Sequence, residues 1–313
     1  MESADVRSDF RFDRESCLSY LADMEAHERY NLCLGLAFER MERKTGYLQR
    51  LYESTGQDWQ QTAYLLLLQT VGDRSNRENY LEIGRQATYE RVRREGPSVT
   101  AVEAMLLGTA GLLEGCRDDA YSSDLRETFA HLRHKYDIRP LDPGCWNFRN
   151  VRPASHPRLR LAQLAVILSR TTHLCDTLLN CRDFDDAKRI FCADASQYWS
   201  DYYNPSNAAD HTTKRLGSQK AQLTAINLVS VLQILYGNTH GKPELRQRAI
   251  ELWEALPPEK NELLKFWING GIDMTNALET QAFIQLTNEH CLKGGCAQCR
   301  LGILRRTGEQ AAK

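Results

Sequence analysis

The chain has 313 residues, 42% of them hydrophobic and 26% charged, with a formal net charge of −1. That length supports the core of one or two domains, and so balanced a charge excludes a global field drawing in nucleic acid or a membrane surface. A polyanion would need a local patch. No apolar run reaches the ~18 residues of a membrane span, and the charged start MESADVRSDFRFDRES lacks the apolar stretch of a secretory signal. Ten cysteines without an export signal point to reduced thiols in the cytoplasm rather than a disulfide framework.

Taken in chain order, helical periodicity dominates. From Ser16 to about Tyr52 the apolar positions read as one long helix or two broken ones. In DWQQTAYLLLLQTVG, Asp58 is a good N-cap with Gln61 three residues on, and Gly72 ends the run. NRENYLEIGRQATYERVRREG keeps near-helical spacing through Tyr80, Leu81, Ile83, Ala87 and Val92 and stops at Gly96-Pro97. VTAVEAMLLGTAGLLEG carries Ala101, Ala104, Gly108 and Gly111 at three- and four-residue intervals. Such a small-residue stripe lets another helix approach closely, and each glycine costs ~1 kcal/mol of helix propensity, so it needs a packing reason. SSDLRETFAHLRHKY puts Leu125, Phe129, Leu132 and Tyr136 on one face; Asp124, Glu127, His131 and His134 lie beside that face and read as solvated rather than metal-binding.

A breaker-rich connection follows, DIRPLDPGCWNFRNVRPASHP, and Pro157 opens the next helix, RLRLAQLAVILSRTTHLCDTLL. Trp146 and Phe148 argue that this connection is packed and not a free linker. DDAKRIFCADASQYWSDYY, SQKAQLTAINLVSVLQILYG, PELRQRAIELWEAL, EKNELLKFWING and NALETQAFIQLTNEHC continue the helical pattern. Strand-like alternation is almost absent. The expectation is an all-α protein, an irregular bundle of roughly ten helices. It forms a single domain over 1–313, with a subdivision near 138–157 as the place to look for two halves.

Two constellations carry chemistry. Cys291, Cys296 and Cys299 fall within nine residues of NEHCLKGGCAQCRLGILRR. The x2 pair turns two sulfurs to one point, and Gly294 and Gly295 let the backbone fold around it. Such a knuckle suits Zn²⁺ or an iron–sulfur cluster, both of which usually take four protein ligands. His290 or Cys145 is a candidate fourth, with Cys181 and Cys192 also available; plain buried thiols and a redox pair are the competing accounts. Arg149, Arg152 and Arg160 cluster around Trp146 and the prolines and suit an anion, phosphate or carboxylate. The same arginines serve equally to tie two helical layers together, and that internal role is favoured. RVRREG and the tail RLGILRR are local basic patches of the kind that meets nucleic acid, though last-turn arginines also simply complement the helix dipole, and with a net charge near zero nucleic acid is the less favoured account. Gly-x-Gly-x-x-Gly, P-loop, His-Glu-x-x-His and Gly-x-Ser-x-Gly motifs are missing, which argues against a nucleotide enzyme or a serine hydrolase.

Several stretches resemble the bacterial family called domain of unknown function 2851: ERMERKTGYLQRLYESTGQDWQQTAYLLLLQTVG, VEAMLLGTAGLLEG, WNFRNVRPASHPRLRLAQLA, LPPEKNELLKFW and NALETQAFIQLTNEHCLKGGCAQCRLG. The resemblance implies that Arg149, Arg152, Pro153, Pro157, Arg160 and Gln163 occupy a family motif, with Glu103, Glu259, Asn261, Gln281 and the three cysteines. It carries no established activity. Members of the family usually begin with a further β-rich segment, and this chain starts just ahead of the helices; if chemistry resides in that segment, the resemblance implies a helical half acting as a scaffold. The expected function is a cytoplasmic binding or scaffold protein with a structural metal at Cys291, Cys296 and Cys299 and a protein or nucleic-acid partner. The alternatives are a nucleic-acid-processing or metal-dependent enzyme that uses the Arg-rich loop, and a thiol redox sensor.

Overall fold

The structure, a computed structural model, describes residues 14–149, 151–204, 207–208 and 211–311. Among them helices predominate. The strands are two short antiparallel pairs, Ala193–Asp194 with Arg215–Leu216 and Tyr202–Asn204 with Asn207–Ala208. The fold is all-α. No described helix is long and apolar enough to cross a membrane.

The helices are shorter and more numerous than periodicity alone suggests, because turns interrupt apolar patterns that look continuous. The first long pattern takes the broken one of its two expected forms, as Arg14–Ala22 and Ala26–Ser54. NRENYLEIGRQATYERVRREG divides into Arg77–Gln86 and Tyr89–Glu95. The Gln61 side chain makes that division: its amide donates to the Gly84 carbonyl at 2.8 Å and its oxygen accepts the Tyr89 N–H at 2.7 Å. Gln61 is therefore spent on the neighbouring turn, and Asp58 caps Trp59–Val71 alone, accepting from Gln60 and Gln61. The pattern that begins at Pro157 likewise splits into Pro157–Ser169 and Leu174–Leu179, and DDAKRIFCADASQYWSDYY gives one α-helix, Phe184–Phe191, and then a 3-10 turn, Gln197–Asp201, set among short strands.

The small-residue stripe holds where the helix Val99–Thr109 packs on Ala120–Tyr136. A methyl group on Gly108 would lie 2.1 Å from a Phe129 ring carbon. Gly111 belongs to a turn beyond that helix. Its φ is +68°, and a Cβ would meet the Leu141 carbonyl at 2.2 Å, so glycine is required on two counts. Asp124, Glu127, His131 and His134 are all exposed.

The chain divides into two compact units, one built from its two ends, up to Gly46 and from Trp253 on, and one comprising Tyr47–Leu252. The connection 138–157 lies inside the second. The end-built unit has its own core, in which Leu21, Leu36, Leu264, Trp267 and Phe283 are buried and Trp267 finds a partner for its indole N–H in the Thr287 hydroxyl at 2.8 Å. The 47–252 unit buries Tyr64, Tyr80, Phe191 and Trp199 among the leucines of Trp59–Val71, Val99–Thr109 and Pro157–Ser169.

Candidate functional site

In the 47–252 unit the breaker-rich segment is an ordered strap. Three of its prolines each open a turn: Pro143–Cys145, Pro153–Ser155 and Pro157–Ser169. Proline suits a first turn because the N–H it lacks would have no partner there. Trp146 pins the strap: its indole N–H donates to the Ala110 carbonyl at 2.8 Å, and its ring meets Tyr80 edge-on. Asn76 pins it again, accepting the Asn147 N–H at 2.7 Å and donating to the Asn147 carbonyl at 2.9 Å. The same Asn76 amide donates to both Asp73 carboxylate oxygens at 3.0 Å.

Between strap and turn lies a cleft of about 480 Å³, lined by Arg149, Arg152, Asn147, Ser75, Ser155 and Asp73. Arg149 and Arg152 are exposed. Arg160 stands behind Ser155. Its guanidinium donates to the Ser155 hydroxyl at 3.3 Å and to the Gln163 side-chain oxygen at 2.9 Å, and the buried Gln163 donates in turn to the Lys214 carbonyl at 3.0 Å. Burial lowers the Arg160 pKa, opposed by Tyr80 and Asp73. Lys220 shares this neighbourhood, donating to the Gly72 carbonyl at 3.4 Å; burial and then Arg160 bring its pKa down to about 8, with Asp73 pulling the other way. Four cations thus face one carboxylate. Among the described residues none of the four closes an ion pair within 4.0 Å. Two of the three arginines singled out in the sequence line the cleft, and the third supports it.

Cys291, Cys296 and Cys299 lie in the end-built unit with Cys17 and Cys33, whereas Cys145, in the strap, and Cys181 and Cys192 lie in the 47–252 unit. None of the ten is in a disulfide. The helix Ala277–Gln285 runs on through a π-turn, Leu286–Cys291, and is closed by the Gly295 N–H donating to the His290 carbonyl at 2.8 Å. Gly294 supplies φ of +67° at that turn. The chain then crosses tightly over Gly302, where a Cβ would meet the Cys296 carbonyl at 2.5 Å. Burial raises the Cys299 thiol pKa, against the smaller lowering pull of the N–H groups of Gly302 and Leu301 in the first turn of the helix Arg300–Ala311. Burial pushes Cys291 up to about 12, relieved by Arg14 and reinforced by Cys299, Cys17 and Cys296. His290 turns to Glu39 instead, at 3.0 Å. Among the described residues no group of three His, Cys, Asp or Glu side chains is arranged to hold a metal ion. The tail arginines work internally: Arg306 donates to the carbonyls of Cys296 and Ala297, and Arg300 donates to Glu39.

The end-built unit also gathers a polar network from distant parts of the sequence. Arg40 donates to Gln281 at 2.7 Å, Gln281 donates to Glu259 at 2.5 Å, and Asn261 donates to the other Glu259 oxygen at 2.8 Å. Gln281 is fully buried. Burial lowers the pKa of Arg40 to about 10 and that of Lys44 well below its usual value, with Glu259 opposing both.

A family model for proteins of unknown function, DUF2851, matches residues 9–262. The chain belongs to that family. No protein of curated function and no solved structure matches it. The DUF2851 match takes in the whole strap and cleft, with Glu103, Glu259 and Asn261, and ends before Gln281 and the three C-terminal cysteines. Glu103 of this DUF2851 chain is fully buried. One of its oxygens accepts from Tyr121 and from the Trp199 indole, both at 2.7 Å, and the other has no hydrogen-bond partner among the described residues. Burial therefore dominates and raises the carboxyl pKa to about 7, against the lowering pull of those donors. Neither this acid nor the 40–281–259–261 network can be located from local spacing, since each is made by residues far apart in the chain.

Proposed function

We propose that this DUF2851 chain is a cytoplasmic, all-helical binding protein that takes an anionic ligand in the strap cleft. The observation that carries this reading is that Arg149 and Arg152 line one cleft with hydroxyl and amide donors while Arg160 and Lys220 stand behind it. Arginines that only tied helices together would be expected to meet carboxylates or helix C-termini. Here Arg149 and Arg152 remain exposed, and a guanidinium fork suits a planar or tetrahedral oxyanion. The pinned strap holds the donors in place before binding, so little ordering is required when the ligand arrives. The test is isothermal titration with inorganic phosphate and pyrophosphate. Arg152→Ala and Arg149→Ala should each weaken pyrophosphate binding roughly ten-fold, the scale of one charge-assisted contact. Absence of binding in the unaltered protein sinks the reading.

A second reading keeps the C-terminal metal, with one observation in its favour. The thiol of Cys17, on the helix Arg14–Ala22, shares the electrostatic neighbourhood of Cys291, Cys296 and Cys299. That helix is tied to Arg300–Ala311 by the Tyr20 hydroxyl, which donates to the Leu304 carbonyl at 3.2 Å. Four sulfurs satisfy the Zn²⁺ or iron–sulfur preference that three do not, and these side chains would have to rearrange to meet at one ion. Metal analysis of protein purified without oxygen tests it. One zinc, or the absorbance of an iron–sulfur cluster, is expected, reduced in Cys17→Ser and unchanged in Cys33→Ser; metal-free protein refutes it.

A further inference from the structure

The cleft has an aromatic neighbour that anion binding alone does not require. Phe148 sits between two lining residues, Asn147 and Arg149, and is 42% exposed, although Trp146 two positions earlier is buried. Its ring lies parallel to that of His156, with centroids 5.3 Å apart and an interplanar angle of 11°. The His156 ring is itself fixed, because its Nδ1 accepts the Arg158 N–H at 3.3 Å as cap of the helix Pro157–Ser169. Burial and then Arg158 hold its pKa down at about 4, so the imidazole is neutral and keeps the lone pair that the cap needs. Phe148 therefore follows one lining residue and precedes another along the strap, with one face on His156 and a large part of its ring exposed.

We propose that Phe148, backed by His156, is a base-stacking platform, and that the ligand of the cleft is single-stranded nucleic acid, its phosphates taken by Arg149 and Arg152. The proposal rests on the anion-binding reading and names its ligand class. Every base has a π-face, so stacking on one aromatic ring is tolerant of sequence, while arginines follow the backbone. A phosphorylated peptide would use the arginines without a ring, and an inorganic polyphosphate would leave Phe148 unused. A duplex keeps its bases stacked on one another and gives the ring nothing to hold. With a net charge of −1 attraction is local, so affinity should be modest and fall steeply with salt.

The experiment is fluorescence anisotropy with a labelled oligothymidylate, competed by unlabelled oligothymidylate, by duplex and by polyphosphate of matched length. Single strands should compete better than either rival. Phe148→Ala should weaken oligothymidylate about ten-fold, the scale of one stacked base, and leave polyphosphate binding unchanged; Phe148→Trp should retain tight binding, which separates loss of stacking from loss of fold. Arg152→Ala should weaken both ligands. If oligothymidylate and polyphosphate bind equally and Phe148→Ala affects neither, the stacking proposal is wrong and the anion cleft survives. If neither ligand binds, both fall together.

Discussion

Replacing Glu103 by glutamine is the most direct probe of the buried acid. The carboxyl is fully buried, one oxygen accepts from Tyr121 and Trp199, and its pKa is raised to about 7. The unfolded chain releases that proton near 4.5. Between those values the native state holds a proton that the unfolded state has lost, so stability falls as pH rises and the loss is complete above about pH 7. The difference of about 2.5 pKa units corresponds to about 3 kcal/mol at 1.36 kcal/mol per unit. Glutamine keeps an acceptor for Tyr121 and Trp199 and does not titrate, but it places an amide where the second oxygen lacks a partner, a pH-independent cost of about 1–3 kcal/mol. Urea denaturation of both proteins at pH 4.5 and pH 8 isolates the effect, since other titrating groups, including His156, cancel in the difference. Relative to the parent, Glu103→Gln should gain about 3 kcal/mol between the two pH values. A gap between the proteins that does not change with pH would show that the carboxyl ionises normally.

Other consequences are equally specific. Tyr89→Phe should destabilise by about 1–3 kcal/mol in urea, because the Tyr89 hydroxyl accepts the buried Leu174 N–H at 3.1 Å, which then has no partner. Gly108→Ala should lose about 1–3 kcal/mol to overpacking against Phe129, net of ~1 kcal/mol gained in helix propensity; adding Phe129→Ala should remove the penalty, and simple additivity of the two changes would contradict the contact. If oligothymidylate binds the strap cleft, the slope of log affinity against log salt should shrink by about 0.7 in Arg149→Ala, one phosphate's share for a single strand, and an unchanged slope would remove Arg149 from the interface.

The helical class was legible because a 3.6-residue apolar period needs no knowledge of neighbours. Caps such as Asp58 and the helix opening at Pro157 were legible for the same reason: their effect acts within one turn. The extra breaks were not. Gln61 ends one pattern and starts another through hydrogen bonds to Gly84 and Tyr89, more than twenty positions away. Of the arginine trio, clustering in sequence was enough to put Arg149 and Arg152 on one strap, but the cleft they line exists only because Asn76 and Trp146 pin that strap.

The sequence by itself determined that this chain is helical, that Pro157 opens a helix, and that three thiols crowd its C-terminal region. Those are properties of neighbours along the backbone, whose separation is fixed by covalent geometry. Only the tertiary structure decided that Phe148 stays exposed while Trp146 is buried, that Cys17 joins the distant thiols, and that Glu103 lies in a dry interior where its charge is costly. Exposure and solvation depend on what other segments cover a side chain, and no local pattern encodes that covering.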